Sequence, residues 1–274
     1  MVSDEPRPKA DGPRSDGSGL LLTLDRGIQV LEQIARGQGR ATAKSLTADL
    51  GINLGTCYQL LRTLQAHGYV HRLHGGRYGL GNRIGFLADH YSSALAPAPE
   101  LIETLHDLHD VVEETVYLTV SHNGDLAIAG VLDGTRMLRV GNLAAGQSAE
   151  PHINPAAKAF LAYADEGTVD DLIGARSFEA RTAHSITSLD ALRAELVATR
   201  ERGYGVDREE HSDGVAGLAA AILDEDGRPY GAFASAFAVQ RLDSDEEEIS
   251  SQLLHAGEKA SRFMGFTGAY PPRP

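Results

Sequence analysis

Cysteine is almost missing from this chain, and so are long apolar runs. Cys57 is the only cysteine among 274 residues, which excludes an intrachain disulfide and a cysteine cluster. No apolar stretch is long enough to cross a bilayer, and the first 19 residues lack the apolar core of a signal peptide. We therefore expect a cytoplasmic protein with no membrane partner.

Basic residues are outnumbered by acidic ones in the whole chain, but not near its N-terminal end. The net charge of −13 argues against nucleic acid, because DNA affinity comes mostly from neutralising phosphates. Between residues 20 and 85, however, eight Lys and Arg stand against three Asp and Glu, a net charge of +5 that leaves −18 for the rest. A chain of this length can hold two domains, and this distribution fits a basic DNA-binding module joined to an acidic module.

Residues 43–62 have the pattern of two short helices joined by a tight turn. Apolar residues recur with helical spacing on both sides of Gly51, which adopts left-handed backbone conformations without a Cβ penalty. Asn53 is a good N-cap for the second helix, predicted at 53–66. This helix-turn-helix pattern predicts that the second helix is a recognition helix that enters the DNA major groove.

A basic hairpin follows these helices. The stretch 69–81 alternates apolar and polar residues around Gly75-Gly76, which predicts two short antiparallel strands. Together with a helix that starts near Thr23, these elements predict a winged helix-turn-helix. The wing would carry Arg72 and Arg77 toward phosphates or the minor groove, although a solvated hairpin tip is the alternative.

The second half of the chain alternates between strand and helix patterns. Strands are predicted at 114–120, 126–132, 135–141, 204–210, 215–223 and 229–239. Helices are predicted from Leu101, after the cap Asn154, near 168–174, from Ser188 to Arg202 and after the cap Asp243. Strands joined by hairpins, with helices at both ends, predict an antiparallel sheet in an α+β sensor-like domain.

The predicted organisation has five segments. Residues 1–19 are a disordered tail, 20–81 the winged helix-turn-helix, 82–96 a linker and dimerisation helix, 97–267 the sensor domain, and 268–274 a C-terminal tail. The apolar stripe of the linker helix suits burial against a second copy. Because a helix-turn-helix reads a palindrome with two copies, a dimer is expected.

These segments together resemble the IclR family of bacterial transcription regulators, from about Thr23 to Phe266. The resemblance is carried by LDRGIQVLEQIA, the helix-turn-helix, HGYVHRLHGGRYGLGNRI, HINPAAKAFLAY and GYGVDREEHSDGVAGLAAAILDEDGRPYGAFA. It implies a winged helix-turn-helix, a linker helix and a GAF-like effector-binding domain, in a homodimer or homotetramer. The implied function is ligand-responsive regulation, more often repression, on a palindromic operator in double-stranded DNA. The implied effector is a small metabolite, with a carboxylic acid as one candidate class.

Two departures from the family pattern affect the expected sites. The recognition helix reads LGTCYQLLRTL where many relatives have a Ser-Thr-Val-His-Arg type of core, so the operator sequence cannot be transferred. The family's usual Gly-Val-Arg-Cys is Gly-Val-Ala-Gly at 214–217, so an Arg and a Cys near the effector pocket are absent.

The candidate DNA-binding residues fall into two groups. Those expected at base edges are Thr56, Tyr58, Gln59 and Arg62, since Gln can pair with adenine and Arg with guanine through two hydrogen bonds. Those expected at phosphates are Thr42, Lys44, Ser45, Asn53, Arg72 and Arg77. Gly55 would let the backbone approach the DNA closely. Tyr58 has an alternative as a solvent-facing or dimer-packed ring.

The resemblance also selects candidate effector-binding residues, each of which has a structural role as its alternative. They are Met137, Leu143, His152, Asn154, Glu210, Gly217, Ala219 and Ser235.

The rival interpretation is a small-molecule-binding or enzymatic C-terminal domain with no operator-specific role. His152 and His211 with Glu209 and Glu210 could form a metal site, but their spacing is not a metal signature. The sequence contains no Gly-x-Ser-x-Gly, no His-Glu-x-x-His and no phosphate-binding loop. We therefore expect no catalytic residues, no cofactor and no resident metal.

Overall fold

The computed structural model describes residues 20–135, 143–174 and 178–273. These residues form two compact units that divide between His90 and Tyr91. The predicted tail 1–19, Met137 and nearly all of the predicted strand 135–141 lie outside the described residues. Within the described ranges, no helix combines the length and apolar character needed to span a bilayer.

The first unit contains the predicted winged helix-turn-helix. Its elements are α1 (Leu22–Arg36), α2 (Ala43–Leu50), α3 (Leu54–Ala66), β1 (Val70–Arg72) and β2 (Tyr78–Leu80). One buried cluster, which includes Val30, Ile34, Leu46 and Leu61, holds the three helices together. Gly51 ends α2 in the left-handed conformation at φ 61°, which confirms its predicted role in the turn before α3.

Helix α4 (Asn82–Ala94) follows the hairpin and occupies the predicted linker position. It contains no buried residue within the described part of the chain. Its large apolar side chains, Phe86, Leu87 and Tyr91, are 40–45% exposed. An isolated helix of this length is marginally stable in water, so α4 lacks most of the packing that usually stabilises a helix.

The second unit is an antiparallel sheet with helices on both faces, which confirms the α+β prediction. Its elements are α5 (Pro99–Val112), β3 (Thr115–His122), β4 (Asp125–Leu132), α6 (Pro155–Leu161), α7 (Glu166–Ile173), α8 (Leu189–Arg202), β5 (Gly205–Arg208), β6 (Val215–Leu223), β7 (Pro229–Ala238) and α9 (Leu242–Phe263). The strand order is β4-β3-β7-β6-β5, and all four pairings are antiparallel.

The two faces of this sheet differ in side-chain size. Large residues such as Leu118 and Phe233 pack with α5 and α9 on one face. On the other face, alanines of β6 and β7 pack against α6. A Cβ on Gly205 would lie 2.3 Å from the carbonyl oxygen of Pro155, so α6 packs with its backbone directly against β5. This close approach sets the position of the side chains that α6 carries.

Two local predictions were wrong. Asp243 was expected to cap the last helix, but α9 begins at Leu242 with Arg241 at the cap position, which places Asp243 in the first turn. Residues 268–274 were expected to be a tail, yet the Tyr270 hydroxyl donates a 2.5 Å hydrogen bond to the carbonyl of Ala221. This ring packs with a small buried cluster beside α6, which anchors the C-terminal segment to the sheet.

Candidate DNA interface and effector site

The recognition helix α3 separates a buried side from an exposed side. Cys57, Leu60 and Leu61 are buried in the core of the first unit. Tyr58, Gln59 and Arg62, three of the residues predicted at base edges, are all exposed. Because residues three and four apart share one helix face, these side chains lie on neighbouring parts of the outward surface.

The start of α3 uses two of the predicted DNA-binding residues for capping. The side chain of Asn53 accepts a 2.8 Å hydrogen bond from the backbone N–H of Thr56. This bond satisfies one of the free donors of the first helical turn. Thr56 itself is half-buried, so it is less available to a base edge than Tyr58, Gln59 and Arg62.

Cys57 fixes α3 against α2. Its thiol is buried and donates a 3.7 Å hydrogen bond to the carbonyl of Ala43. Burial raises the pKa of the Cys57 thiol, which disfavours the reactive thiolate. This cysteine is therefore a packing residue of the recognition helix.

Helix α2 and the wing are joined through Thr42. The hydroxyls of Thr42 and Ser45 form a capping box at the start of α2, so both are engaged within the protein. Thr42 also forms a β-bridge with Arg77, and the N–H of Tyr78 donates to the carbonyl of Ala41 at 2.9 Å. These contacts hold the wing beside the N-terminus of α2.

The exposed cations of this region are therefore carried by α2 and by the hairpin, whose backbones are fixed by these contacts. Lys44 is exposed in the first turn of α2, and Arg72 and Arg77 are exposed on the hairpin. The Arg77 Nε donates to the carbonyl of His74 at 3.1 Å, which orients its guanidinium at the tip of the wing. The first unit thus carries cations on both the helix-turn-helix and the wing.

In the second unit, loops on the α6 side of the sheet are tied together by hydrogen bonds. The Thr182 hydroxyl donates to the carbonyl of Glu209 at 2.6 Å, and the Ser185 hydroxyl donates to that of Glu210 at 2.6 Å. A ring nitrogen of His152 lies 3.0 Å from the carbonyl oxygen of Glu179. Segments 150–154, 178–186 and 207–214 therefore form one connected rim.

A buried ion pair lies beneath this rim. The Lys158 ammonium on α6 is fully buried and donates to both carboxylate oxygens of Glu210 at 2.7 and 2.9 Å. Burial raises the pKa of Glu210, while the Lys158 charge opposes that shift. The two-oxygen geometry is that of a charged pair, which fixes the 207–214 loop to α6.

A second carboxyl group shares this buried region. Asp207 is 4% exposed and accepts a 2.7 Å hydrogen bond from the N–H of Glu210. Burial raises the pKa of Asp207 to about 7, against the lowering effects of that hydrogen bond and of Lys158. The charge of the Lys158 ammonium therefore lowers the pKa of two carboxyl groups, those of Glu210 and Asp207, against the effect of burial.

The structure brings most of the described candidate effector residues to the α6 side. Asn154 caps α6 by accepting from the N–H groups of Ala156 and Ala157, and the Tyr117 hydroxyl lies 3.5 Å from the same oxygen. Other candidates on this side are Leu143, His152, Glu210, Gly217 and Ala219.

Ser235 is not brought to this site. It pairs with Val116 on β3 and Leu218 on β6, and both of those side chains belong to the core under α5 and α9. Paired residues on neighbouring strands point to the same face, so Ser235 faces away from α6. Met137 lies outside the described residues.

The proposed metal ligands are occupied by other partners. Glu210 binds Lys158, and a carboxylate oxygen of Glu209 accepts from the N–H of Gly214 at 2.7 Å. His211 contacts the hydroxyl of Ser212, and burial lowers the pKa of its ring. Across residues 20–135, 143–174 and 178–273, no three His, Cys, Asp or Glu side chains converge on a metal-sized site.

Both units match known family models. The model of the IclR helix-turn-helix domain matches residues 23–74. The model of the bacterial transcriptional regulator IclR C-terminal domain matches residues 99–262, more than half of the chain. The chain belongs to the IclR family. It is a DNA-binding transcriptional regulator with a C-terminal effector domain.

Curated relatives and solved structures agree with this assignment. The chain is 29% identical to the transcriptional repressor IclR of Escherichia coli, over 97% of this chain and 99% of that protein. It is 30% identical to the glycerol operon regulatory protein of Streptomyces coelicolor, over 89% of this chain and 95% of that protein. The fold matches the Thermotoga maritima IclR crystal structure with a TM-score of 0.65 at 21% identity, covering 89% and 99% of the two chains.

Two residues of this IclR-family chain were not predicted as part of the effector site. Lys158 and Asp207 form the buried charge cluster with Glu210, but only Glu210 was a candidate from the sequence. Lys158 had a detectable signal, because it is the only charged residue in the apolar stretch 155–164. A lysine in such a stretch is rarely buried without a partner. Its partner lies 52 positions away, and sequence spacing does not reveal that distance.

Proposed function

We propose that this IclR-family regulator is a repressor that binds a palindromic operator as a homodimer or homotetramer in the cytoplasm. The observation that carries this proposal is the exposed surface of α3, where Tyr58, Gln59 and Arg62 are all open to a partner, in the same unit as the cationic wing. The repressor names of its E. coli relative and of the acetate operon repressor of Salmonella typhimurium support the sign of regulation.

Base recognition is assigned to the polar side chains of this surface. Gln59 can bind adenine and Arg62 can bind guanine through paired hydrogen bonds, each discriminating by about 1–3 kcal/mol against the wrong base. Lys44, Arg72 and Arg77 would contact phosphates and supply affinity that depends on salt but not on sequence. Thr42, Ser45 and Asn53 would act mainly by fixing the helix ends that carry these groups.

Substitution of Gln59 or Arg62 by Ala is expected to reduce operator-specific binding. At about 1–3 kcal/mol for each contact, each variant should lose roughly 5- to 150-fold in affinity for a duplex selected by the wild type from a random 30-bp pool. Binding to unselected DNA should change much less. Fluorescence anisotropy across a salt series measures both.

The matched control is Arg193→Ala, which removes an exposed arginine from α8 in the effector domain. It should bind the selected duplex as the wild type does. Wild-type affinity in both the Gln59 and Arg62 variants would remove α3 from base recognition. Failure of the wild type to enrich any sequence would contradict the operator-binding function itself.

We propose that a second copy of the chain packs against the exposed apolar residues of α1 and α4. Helix α4 has none of its described residues buried, and Leu87 is 45% exposed. Helix α1 likewise exposes Leu24 and Ile28, beside an apolar groove of about 680 Å³. A dimer is also what a palindromic operator requires, since each half-site is read by one copy.

Leu87→Glu is expected to weaken self-association. A charge on α4 must lose its hydration in the interface, so the concentration at which half of the protein dissociates should rise at least tenfold. Sedimentation velocity measures this directly and distinguishes dimer from tetramer. Val197→Glu is the control, because Val197 is 60% exposed on α8. A wild type that is monomeric at micromolar concentration would overturn this assignment.

The effector is proposed to bind at the rim formed by segments 150–154, 178–186 and 207–214. The Lys and Arg side chains that the described residues place there are all paired: Lys158 with Glu210, Arg181 with Glu150 and Arg208 with Glu246. A carboxylic acid effector would therefore compete with a carboxylate of the chain for any of these cations. Small molecules can be sought by their release of the selected duplex, which tests binding rather than catalysis.

A further inference from the structure

Two large apolar side chains are exposed at the beginning of the recognition helix. Leu54 and Tyr58 are each 50% exposed and stand one helical turn apart. Both lie next to the outward surface that carries Gln59 and Arg62. An exposed leucine next to an exposed tyrosine forms an apolar patch at the edge of the polar base-reading surface.

Leu54 is not required for α3 to begin or to pack. The cap of the helix is formed by Asn53, and the apolar pair that fixes the entry of the chain is Ile52 and Cys57, both of which are buried. Among the described residues, Leu54 belongs to no buried apolar cluster. Its side chain is therefore available to a partner of α3.

Gly55 leaves space beside this patch. A Cβ at Gly55 would only touch the side-chain oxygen of Asn53 at 3.4 Å, so internal packing does not demand a glycine there. Glycine destabilises a helix relative to alanine. Its presence on the exposed side of the first turn lets the backbone approach another surface closely, with Leu54 and Tyr58 on one side of the contact.

The partner of α3 is the major groove of DNA, and this groove exposes one apolar group on its base edges. That group is the C5-methyl of thymine, which apolar side chains recognise by contact. We propose that Leu54 and the ring of Tyr58 contact thymine methyl groups, so that the first turns of α3 select T·A pairs. This inference rests on the proposed operator binding by α3.

Removal of thymine methyl groups is the direct test. The duplex selected from the random 30-bp pool is resynthesised with deoxyuridine at each thymine position in turn. Wild type should lose about 3- to 10-fold in affinity at each contacted position, the effect of one buried methyl group plus its packing. Replacement by 5-bromodeoxyuridine should restore the affinity, because bromine is close to methyl in size.

Leu54→Ala provides the matched protein change. At the thymine position that Leu54 contacts, it should bind the thymine duplex about as weakly as wild type binds the uracil duplex, and it should lose less than twofold on removal of the methyl. At a position that Tyr58 contacts, it should keep the methyl response of wild type. Its salt dependence should equal that of wild type, since no charge is changed. Val197→Ala, at an exposed apolar position of α8, should keep the full methyl response.

The outcomes separate this proposal from the proposed function. If wild type selects a sequence but binds thymine and uracil duplexes equally at every position, thymine recognition is wrong while operator binding stands. If Leu54→Ala loses as much as wild type on methyl removal at every position, no methyl response belongs to Leu54, which also overturns the proposal. If wild type selects no sequence, both fail. Circular dichroism and an unchanged sedimentation mass establish that the variant is folded and assembled.

Discussion

Replacement of Glu210 by Ala should destabilise the effector domain by about 3–5 kcal/mol, the usual consequence of leaving a buried charge unpaired. Lys158 is fully buried, and the Glu210 carboxylate accepts both of its described hydrogen bonds. Without that carboxylate, the ammonium must lose its proton or draw water into the base of α6. Urea unfolding of the full chain measures the loss in the free energy of unfolding. Hydrogen exchange in peptides from β6 assigns that loss to the effector domain.

A double substitution tests whether the pair itself supplies the stability. Lys158→Met with Glu210→Leu removes both charges while keeping similar volume, and it should recover most of the loss caused by Glu210→Ala. Glu150→Ala is the matched single change at the same rim, since its ion pair with Arg181 is substantially exposed. That variant should lose less than about 1 kcal/mol. Equal losses for Glu150→Ala and Glu210→Ala would show that burial of Lys158 has no special cost.

This ion pair also explains how the rim could respond to an effector. Glu210 belongs to the 207–214 loop, Lys158 belongs to α6, and α6 packs by its backbone against β5. A ligand that altered the geometry of the rim would therefore act on a contact with a large energetic cost. Such a ligand shifts the regulator between states only if it binds those states with different affinities.

Local patterns were sufficient to predict most of the fold. Gly51, Asn53 and Asn154 each carry a turn or cap signal in their immediate neighbours, and the structure uses all three as expected. The hairpin between β3 and β4 also follows from Asn123-Gly124, whose φ angles of 51° and 76° suit a tight two-residue turn. These features depend on a few adjacent residues, which is why the sequence reveals them.

The candidate effector site was less predictable because it depends on long-range contacts. Strand alternation places Gly217 and Ala219 on one face, but assigning Ser235 required the register between β6 and β7. Asp207 reads as an ordinary polar residue of an edge strand until α6 covers it. Tyr270 looked like part of a tail because its acceptor, Ala221, lies 49 positions earlier.

The contribution of Asp207 to stability is expected to fall as the pH rises from about 4 to about 7. Burial raises the pKa of this carboxyl from 3.8 to about 7, so the folded state holds a proton that the unfolded state has lost over this range. The unfolded state then binds fewer protons, and the free energy of unfolding decreases with pH. The contribution of this one group is on the order of 4 kcal/mol, present below about pH 4 and lost above about pH 7.

Asp207→Asn isolates this contribution from that of the other carboxyl groups. The amide oxygen can still accept from the N–H of Glu210, but it carries no charge to desolvate. The stability of the variant relative to wild type should therefore rise from about pH 4 to pH 7 and stay level above it. Urea unfolding at a series of pH values, with hydrogen exchange in β5 and β6 peptides, measures this difference.

Asp213→Asn, on the exposed part of the same loop, is the control and should show a nearly constant difference from wild type. A constant difference for Asp207→Asn as well would mean that Asp207 is charged in the folded protein at pH 5. In that case Lys158 would stabilise two carboxylates at once, and its attraction would offset the cost of their burial. Whether the difference rises with pH or stays constant therefore decides whether the charge cluster beneath the rim contains one negative charge or two near pH 6.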